Sequence, residues 1–155
     1  MKAVLKYPGA KWRISDWIIY HFPEHKVYCE PFFGSGAVFF NKKPSYIETI
    51  NDIDGNIVNL FRVIRENPKE LIKLIEATPF AREEFADCYE QSADPVEQAR
   101  RTLVRYHQSF GTSNSSKHSW RNVQTYEGPR TAKMWNYMPD TILECCERLK
   151  NAQIE

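Results

Sequence analysis

The densest chemistry in the sequence lies at Glu30-Pro31-Phe32-Phe33-Gly34-Ser35-Gly36. A run of β-forming residues precedes it, and 37–41 read as the opening of a helix. Glycines at such a junction let backbone approach a ligand closely, and a helix N-terminus offers free N–H groups. Residue types narrow the ligand. A dinucleotide fingerprint asks for a third glycine at position 39, which is Phe39, and a phosphate-binding P-loop asks for a lysine after Gly36. The loop therefore reads as a cradle for something other than a pyrophosphate, although alone it is equally a tight strand-to-helix turn. Sixteen residues beyond Gly36, Asp52 closes the next run of β-formers. A carboxylate there can accept both ribose hydroxyl protons of an adenosine ligand. For Asp52 and for Asp54 the alternative is capping of the helix that follows. The third stretch is Lys6-Tyr7-Pro8-Gly9-Ala10-Lys11, basic and aromatic around a Pro-Gly turn. By itself it is an ordinary surface turn.

Three such stretches act together only on a scaffold that gathers them. Residues 11–22 predict a helix with Trp12, Ile14, Trp17, Ile18 and Ile19 on its apolar face and Pro23 as its stop. Strands are expected at 26–30 and 45–50, and helices at 37–41 and 55–67, the latter burying Ile57, Leu60, Phe61 and Ile64. Strand, helix, strand, helix over 26–66 is the pattern of a parallel α/β sheet. After that helix follows helix. Asn67 and Pro68 open one over 68–77. Asp94, Pro95 and Glu97, at capping-box spacing, open another that runs to about Phe110 with Ala99, Leu103, Tyr106 and Phe110 on one face. A polar loop of 20 residues spans 111–130, a length that is usually functional or mobile. Two short helices split by Pro139 come next, the second showing Ile142, Leu143, Cys146 and Leu149, and 152–155 read as the start of a strand.

At 155 residues, 42% hydrophobic and 14% aromatic, the chain has the material for one folded domain, and disorder is excluded as its main state. No apolar run approaches the ~18–20 residues of a membrane span, and the first residues lack the apolar core of a secretory signal. No membrane partner is expected. Cys29, Cys88, Cys145 and Cys146 form no C-x-x-C pair, so no metal site is expected; they read as reduced core thiols of a cytoplasmic protein. Net charge is only +1, but its distribution is uneven. Lys2, Lys6, Lys11 and Arg13 crowd the first 13 residues without an acid; 66–98 carry nine acids and three bases; 99–137 carry seven bases and only Glu127. Basic stretches flanking an acidic block are a footprint for an anionic partner.

The three motifs, in this order, resemble the DNA adenine methyltransferases, which methylate the N-6 amine of adenine. KYPGAK matches the family's Lys–aromatic–x–Gly–Gly/Ala–Lys loop at Lys6, Tyr7, Gly9, Ala10 and Lys11. Glu30 to Gly36 match its E-P-F-x-G-x-G loop in full, and Asn51 to Asp54 its N-D-I-N/D strand end. The likeness is close over 1–65 and loose over 66–150. It implies an α/β fold: a partial Rossmann-like methyltransferase sheet of about two to three strands. Residues 1–65 would bind the cofactor, 66–150 would form a helical target-recognition region, and 151–155 would open a further strand.

The resemblance implies S-adenosyl-L-methionine as cofactor and double-stranded DNA as partner. Tyr7 and Lys11 would line the cofactor site, the backbone at 32–36 (Phe32, Gly34 and Gly36 among it) would face the methionine end, and Asp52, with Ile53 beside it, would hold the ribose. DNA contacts would come from the loop beginning at His107. Arg105, Lys117, Arg121 and Arg130 can meet phosphates, Thr112, Ser113 and Asn114 can bond backbone or base edges, and Trp120 is interleaved among them. Trp135 and Tyr137 read as core. One departure stands out: the family's Asp-Pro-Pro-Tyr loop accepts the amine hydrogens and stacks on the flipped base, and no Pro-Pro dipeptide occurs in the 155 residues. The chain is therefore expected to be an N-terminal portion without the catalytic motif and inactive alone. An exposed edge at 26–30 is expected to be covered by a second copy, by 152–155, or by the rest of a longer protein. Two other readings remain open: a non-catalytic nucleic-acid or nucleotide-binding module, and an unrelated nucleotide-cofactor enzyme.

Overall fold

The computed structural model describes residues 2–111, 118–121, 133 and 135–155. Strand β1 (Val27–Glu30) is followed by helix α2 (Ala37–Asn41), β2 (Ile47–Ile50) and α3 (Gly55–Glu66), with a short α1 (Ser15–Tyr20) before them. Helices α4 (Pro68–Ala77), α5 (Arg82–Asp87), α6 (Pro95–Gln108) and α7 (Met138–Leu149) lead to β3 (Ala152–Ile154). The three strands form one parallel sheet in the order β1-β2-β3, with Glu30 opposite Ile50 and Ile50 opposite Ile154.

One face of the sheet builds the core. Ile50, Ala152 and Ile154 are buried there with Phe39 of α2 and Ile57, Leu60, Phe61 and Ile64 of α3. Phe33, Phe39, Phe40 and Phe61 interlock, Phe33 and Phe61 edge-to-face at 4.7 Å between ring centres. Leu71 and Ile75 of α4, Leu103 of α6, and Ile142 and Leu149 of α7 extend the same core. Among the described residues the opposite face is uncovered: Val27 is 60% exposed and Ile47 44%, and Cys29 of β1 is exposed with them. All four cysteines are free, but the expectation of core thiols holds only for Cys88, Cys145 and Cys146.

Charge is buried with its partners. Glu48 of β2 is 3% exposed and accepts from Lys42 Nζ at 2.6 Å and from the Arg148 guanidinium of α7 at 2.5 and 2.9 Å. Burial opposes its charge, yet Arg148, Lys42 and the Ser45 amide outweigh it and hold the carboxyl at about 2. This group ties α2, β2 and α7 together.

Several expectations are corrected. The helix expected over 11–22 is only Ser15–Tyr20: 11–14 form turns, and of the expected apolar face Ile14 and Trp17 lie 46% and 66% exposed. Pro139 does not split a helix; it sits in the first turn of α7, where its missing N–H costs no bond. The expected capping box is half made: Asp94 accepts from the Val96 amide, but Glu97 turns to Arg100 and Arg101. Tyr137 is 54% exposed under Lys2 rather than core, whereas Trp135 is buried and donates to the Ile75 and Thr78 carbonyls. Residues 152–155 do not cover the edge of β1. Helix α7 packs on α3 and α4 and delivers the chain to the far side of β2, where Arg62 and Arg65 of α3 donate to the Ile154 and Ala152 carbonyls. The outer edge of β1 is unpaired among the described residues. No helix among them is long and apolar enough to cross a membrane.

Candidate functional site

Parallel strands place their carboxyl ends side by side, so the loops after β1 and β2 meet. The Asn51 amide donates to the Glu30 carbonyl and the Phe33 amide to the Asn51 carbonyl, each at 3.0 Å. Asp52 then reaches across. Its Oδ2 accepts from the Gly34 amide at 2.7 Å and its Oδ1 from the Asp54 amide at 3.0 Å. The motif-bearing loops are therefore fastened by Asp52 itself. Asp54 is the helix cap: it accepts from the Asn56 amide at the start of α3.

The glycines at 34 and 36 are required by geometry. Gly34 has φ +52, and a Cβ there would meet the Tyr7 ring at 2.9 Å. Gly36 has φ +66, and a Cβ there would strike the rings of Phe33 and Phe40. Both values lie in the left-handed region that costs an L residue roughly 1–2 kcal/mol.

The N-terminal loop closes the other side. Trp12 Nε1 donates to Ser35 Oγ at 3.0 Å, and Lys11 Nζ to the Gly9 carbonyl at 2.6 Å. Residues 7–11 and the 32–35 loop, with Glu30, Ala37 and Val38, line an open cleft of about 300 Å³. Of the sequence-derived cofactor residues, Tyr7, Lys11, Phe32 and Gly34 line this cleft. Gly36, Asp52 and Ile53 do not line it; Gly36 stands at the head of α2, and Asp52 holds the cleft's loop through the Gly34 amide. Phe32 is 83% exposed and Ile53 94%, two large apolar side chains presented to solvent beside the loops. Glu30 was read only as part of a motif, but it lines the cleft with a carboxyl raised by burial, against the pull of the Tyr28 hydroxyl and the Phe39 amide. The spacing of Trp12 marks a helix face and carries no signal of its bond to Ser35.

The basic stretch divides in two. Arg100 and Arg101 are consumed internally: Arg100 pairs with Glu84 and Glu97, and Arg101 with Glu97. Their charge belongs to the fold, a correction to counting them toward an anionic partner. Arg105 is half-buried, 5.3 Å from the Tyr89 ring centre and 5.8 Å from that of Tyr106. Arg121 Nε donates to the Ser109 carbonyl, and its amide to the Gln108 carbonyl, so this residue docks on the end of α6. Trp120 is half-buried on Phe80, its indole N–H on Gln108 Oε1. Thr112, Ser113, Asn114, Lys117 and Arg130 lie outside the described residues. No cluster of potential metal ligands occurs among the described residues.

A family model described as D12 class N6 adenine-specific DNA methyltransferase matches residues 7–154, nearly the whole chain. The chain belongs to this family. The match spans both motif-bearing loops, the helical region and β3, so the D12 assignment rests on the whole arrangement and not on one glycine loop. A DNA adenine methylase of Haemophilus influenzae is 30% identical over 149 residues, 90% of this chain and 50% of that protein. A DNA adenine methylase of Escherichia coli K12 is 27% identical over 160 residues, 97% of this chain and 55% of that one. A type II methyltransferase of Lactococcus lactis subsp. cremoris is 34% identical over 76 residues, 48% of this chain and 26% of that one. The D12 chain thus spans about half the length of the two methylases.

Proposed function

We propose that these residues form the cofactor-binding and target-recognition part of an enzyme that methylates the adenine exocyclic amine in double-stranded DNA, with S-adenosylmethionine as donor. The observation that carries the reading is convergence: the Tyr7–Lys11 and Glu30–Ser35 stretches line one cleft, and Asp52, 45 residues beyond Tyr7, accepts from the Gly34 amide of its loop. The residues fit such a cofactor. Gly34 leaves a surface that any Cβ would fill, and the lone pairs that Asp52 keeps beyond its two amide bonds can accept hydroxyl protons. Tyr7 and Lys11 would line the site, the backbone at 32–36 would receive the methionine end, and Asp52 and Ile53 would take the ribose end. When bound, the cofactor supplies a methyl group on a sulfonium centre. The protein's part here is to hold and orient. The amine-facing Asp-Pro-Pro-Tyr group is not among the 155 residues, so we assign no catalytic residue and expect no turnover from this chain alone.

DNA is expected on the end of α6, where Arg121 is docked, Arg105 flanks Tyr106 and Trp120 bonds Gln108. Titration of isotopically labelled protein with S-adenosylhomocysteine, followed by amide resonances, tests the cofactor reading. The account expects shifts concentrated at Gly9, Gly34, Ser35, Gly36, Ile53 and Asp54; shifts centred elsewhere, or none at millimolar ligand, would overturn it.

A further inference from the structure

The wall of the cleft that Tyr7 forms is held from the helical region. Two consecutive residues in the last turn of α6 reach the N-terminal loop. The Tyr106 ring lies 5.5 Å from the Tyr7 ring at an interplanar angle of 40°, and His107 Nε2 donates to the Val4 carbonyl at 2.8 Å. Both are buried, 4% and 6% exposed. Tyr7 in turn lies on Gly34, close enough that a Cβ would collide with it, and the Gly34 amide is bonded to Asp52. A continuous series of contacts therefore runs from α6 through Tyr106, Tyr7 and Gly34 to Asp52. Helix α6 is itself fixed to the α/β part at its other end, where Gln98 donates to Asn56 and Asn59 donates to the Pro95 carbonyl. The same last turn also carries Arg105 and receives Arg121.

We infer that Tyr106, seconded by His107, is a positioning residue for the cofactor cleft: from the recognition helix it sets the place of Tyr7 over Gly34. The inference rests on reading the cleft as the cofactor site. It adds that the site is not contained in residues 1–65, because one of its walls is supported by α6. Aromatic pairs at this separation favour particular tilts, so an aliphatic replacement fills space without fixing the neighbour's ring.

The test uses the whole chain as wild type, Tyr106→Phe, Tyr106→Leu and Tyr106→Met, with S-adenosylhomocysteine as the probe. Calorimetry is expected to give a dissociation constant within about twofold of wild type for Tyr106→Phe, and one weakened about tenfold or more for the Leu and Met variants, 1.4 kcal/mol by conversion. A second readout needs no ligand. The Gly34 α-protons lie against the Tyr7 ring, so its ring current displaces them. That displacement is expected to persist in Tyr106→Phe and to collapse in the aliphatic variants, while the core methyl resonances of Leu60, Leu71 and Ile142 stay in place. Wild-type affinity in the Leu and Met variants, an unmoved Gly34 signal, or equal loss in Tyr106→Phe would overturn the inference. Wild type that binds no S-adenosylhomocysteine would instead overturn the cofactor reading, and the Gly34 signal would still report on whether Tyr106 places Tyr7.

Discussion

Gly36 and His107 show how single residues set this molecule's stability. A Cβ at Gly36 meets two core rings, and its φ of +66 is unfavourable for any L side chain. Gly36→Ala is therefore expected to lower the free energy of unfolding by about 2–4 kcal/mol, from backbone strain and overpacking together; chemical denaturation measures it, and a loss below about 0.5 kcal/mol would contradict the geometry. His107 is held below the ordinary histidine range. Burial, then the charge of Lys6, lowers it to about 4, and the bond to the Val4 carbonyl only partly opposes this. The unfolded chain binds that proton at about 6.5, so between pH 6.5 and 4 the unfolded state holds more protons. Stability is fully present above 6.5 and falls as pH drops toward 4, by about 3 kcal/mol for this group. Glu48 and Glu97, both held at about 2, add their own loss only below about 4.5, and Glu30, raised by burial, works the other way. His107→Gln, which keeps a donor for Val4, is expected to flatten the limb between pH 6.5 and 4. An unchanged limb would mean another group carries it.

At the scale of elements, the buried Glu48 group is the tie among α2, β2 and α7. Removing one member leaves the others charged and dry. Glu48→Ala is expected to cost about 3–5 kcal/mol, and a double change to apolar residues at Glu48 and Arg148 much less; equal costs in thermal unfolding would contradict this view. The elements also show what the sequence makes legible. Helices α3 and α6 were readable because Ile57, Leu60, Phe61 and Ile64, or Ala99 and Leu103, recur at helical spacing and are in fact buried. At α1 the same spacing misleads: Ile14 and Trp17 face solvent, and periodicity does not reveal whether a partner exists. The loops of the candidate site were legible as motifs because glycine, aspartate and aromatic residues are there for local reasons. Their mutual fastening was not: the bonds from Gly34 to Asp52 and from Trp12 to Ser35 join residues 18 and 23 positions apart. Likewise the pairing of β3 with β2 follows from how α7 packs, which no local pattern encodes.

Among the described residues the sheet is covered on one side. Val27, Ile47 and the free edge of β1 offer apolar surface and unpaired backbone groups together, an arrangement that folded proteins rarely leave uncovered. In isolation the chain is expected to pair with a second copy through this face. Light scattering over a range of concentrations should show a growing dimer, and a monomer throughout would contradict it. Binding to duplex DNA through about four phosphates would make log K fall with log salt at a slope of roughly −3.6. Because Arg100 and Arg101 are bound to acids, replacing them should leave that slope unchanged, whereas Arg121→Ala should reduce it by about 0.9; a flat salt response would remove the basic face from the account. The central claim, that the cleft lined by the first two motif stretches and fastened by Asp52 holds the cofactor, is met most directly by calorimetric titration of wild type, Tyr7→Ala and Asp52→Ala with S-adenosylhomocysteine. The account predicts binding to wild type, with each substitution weakening it about tenfold or more, since Asp52 both fastens the loop and offers its carboxylate. Absence of binding to wild type, or unchanged affinity in both variants, would contradict it.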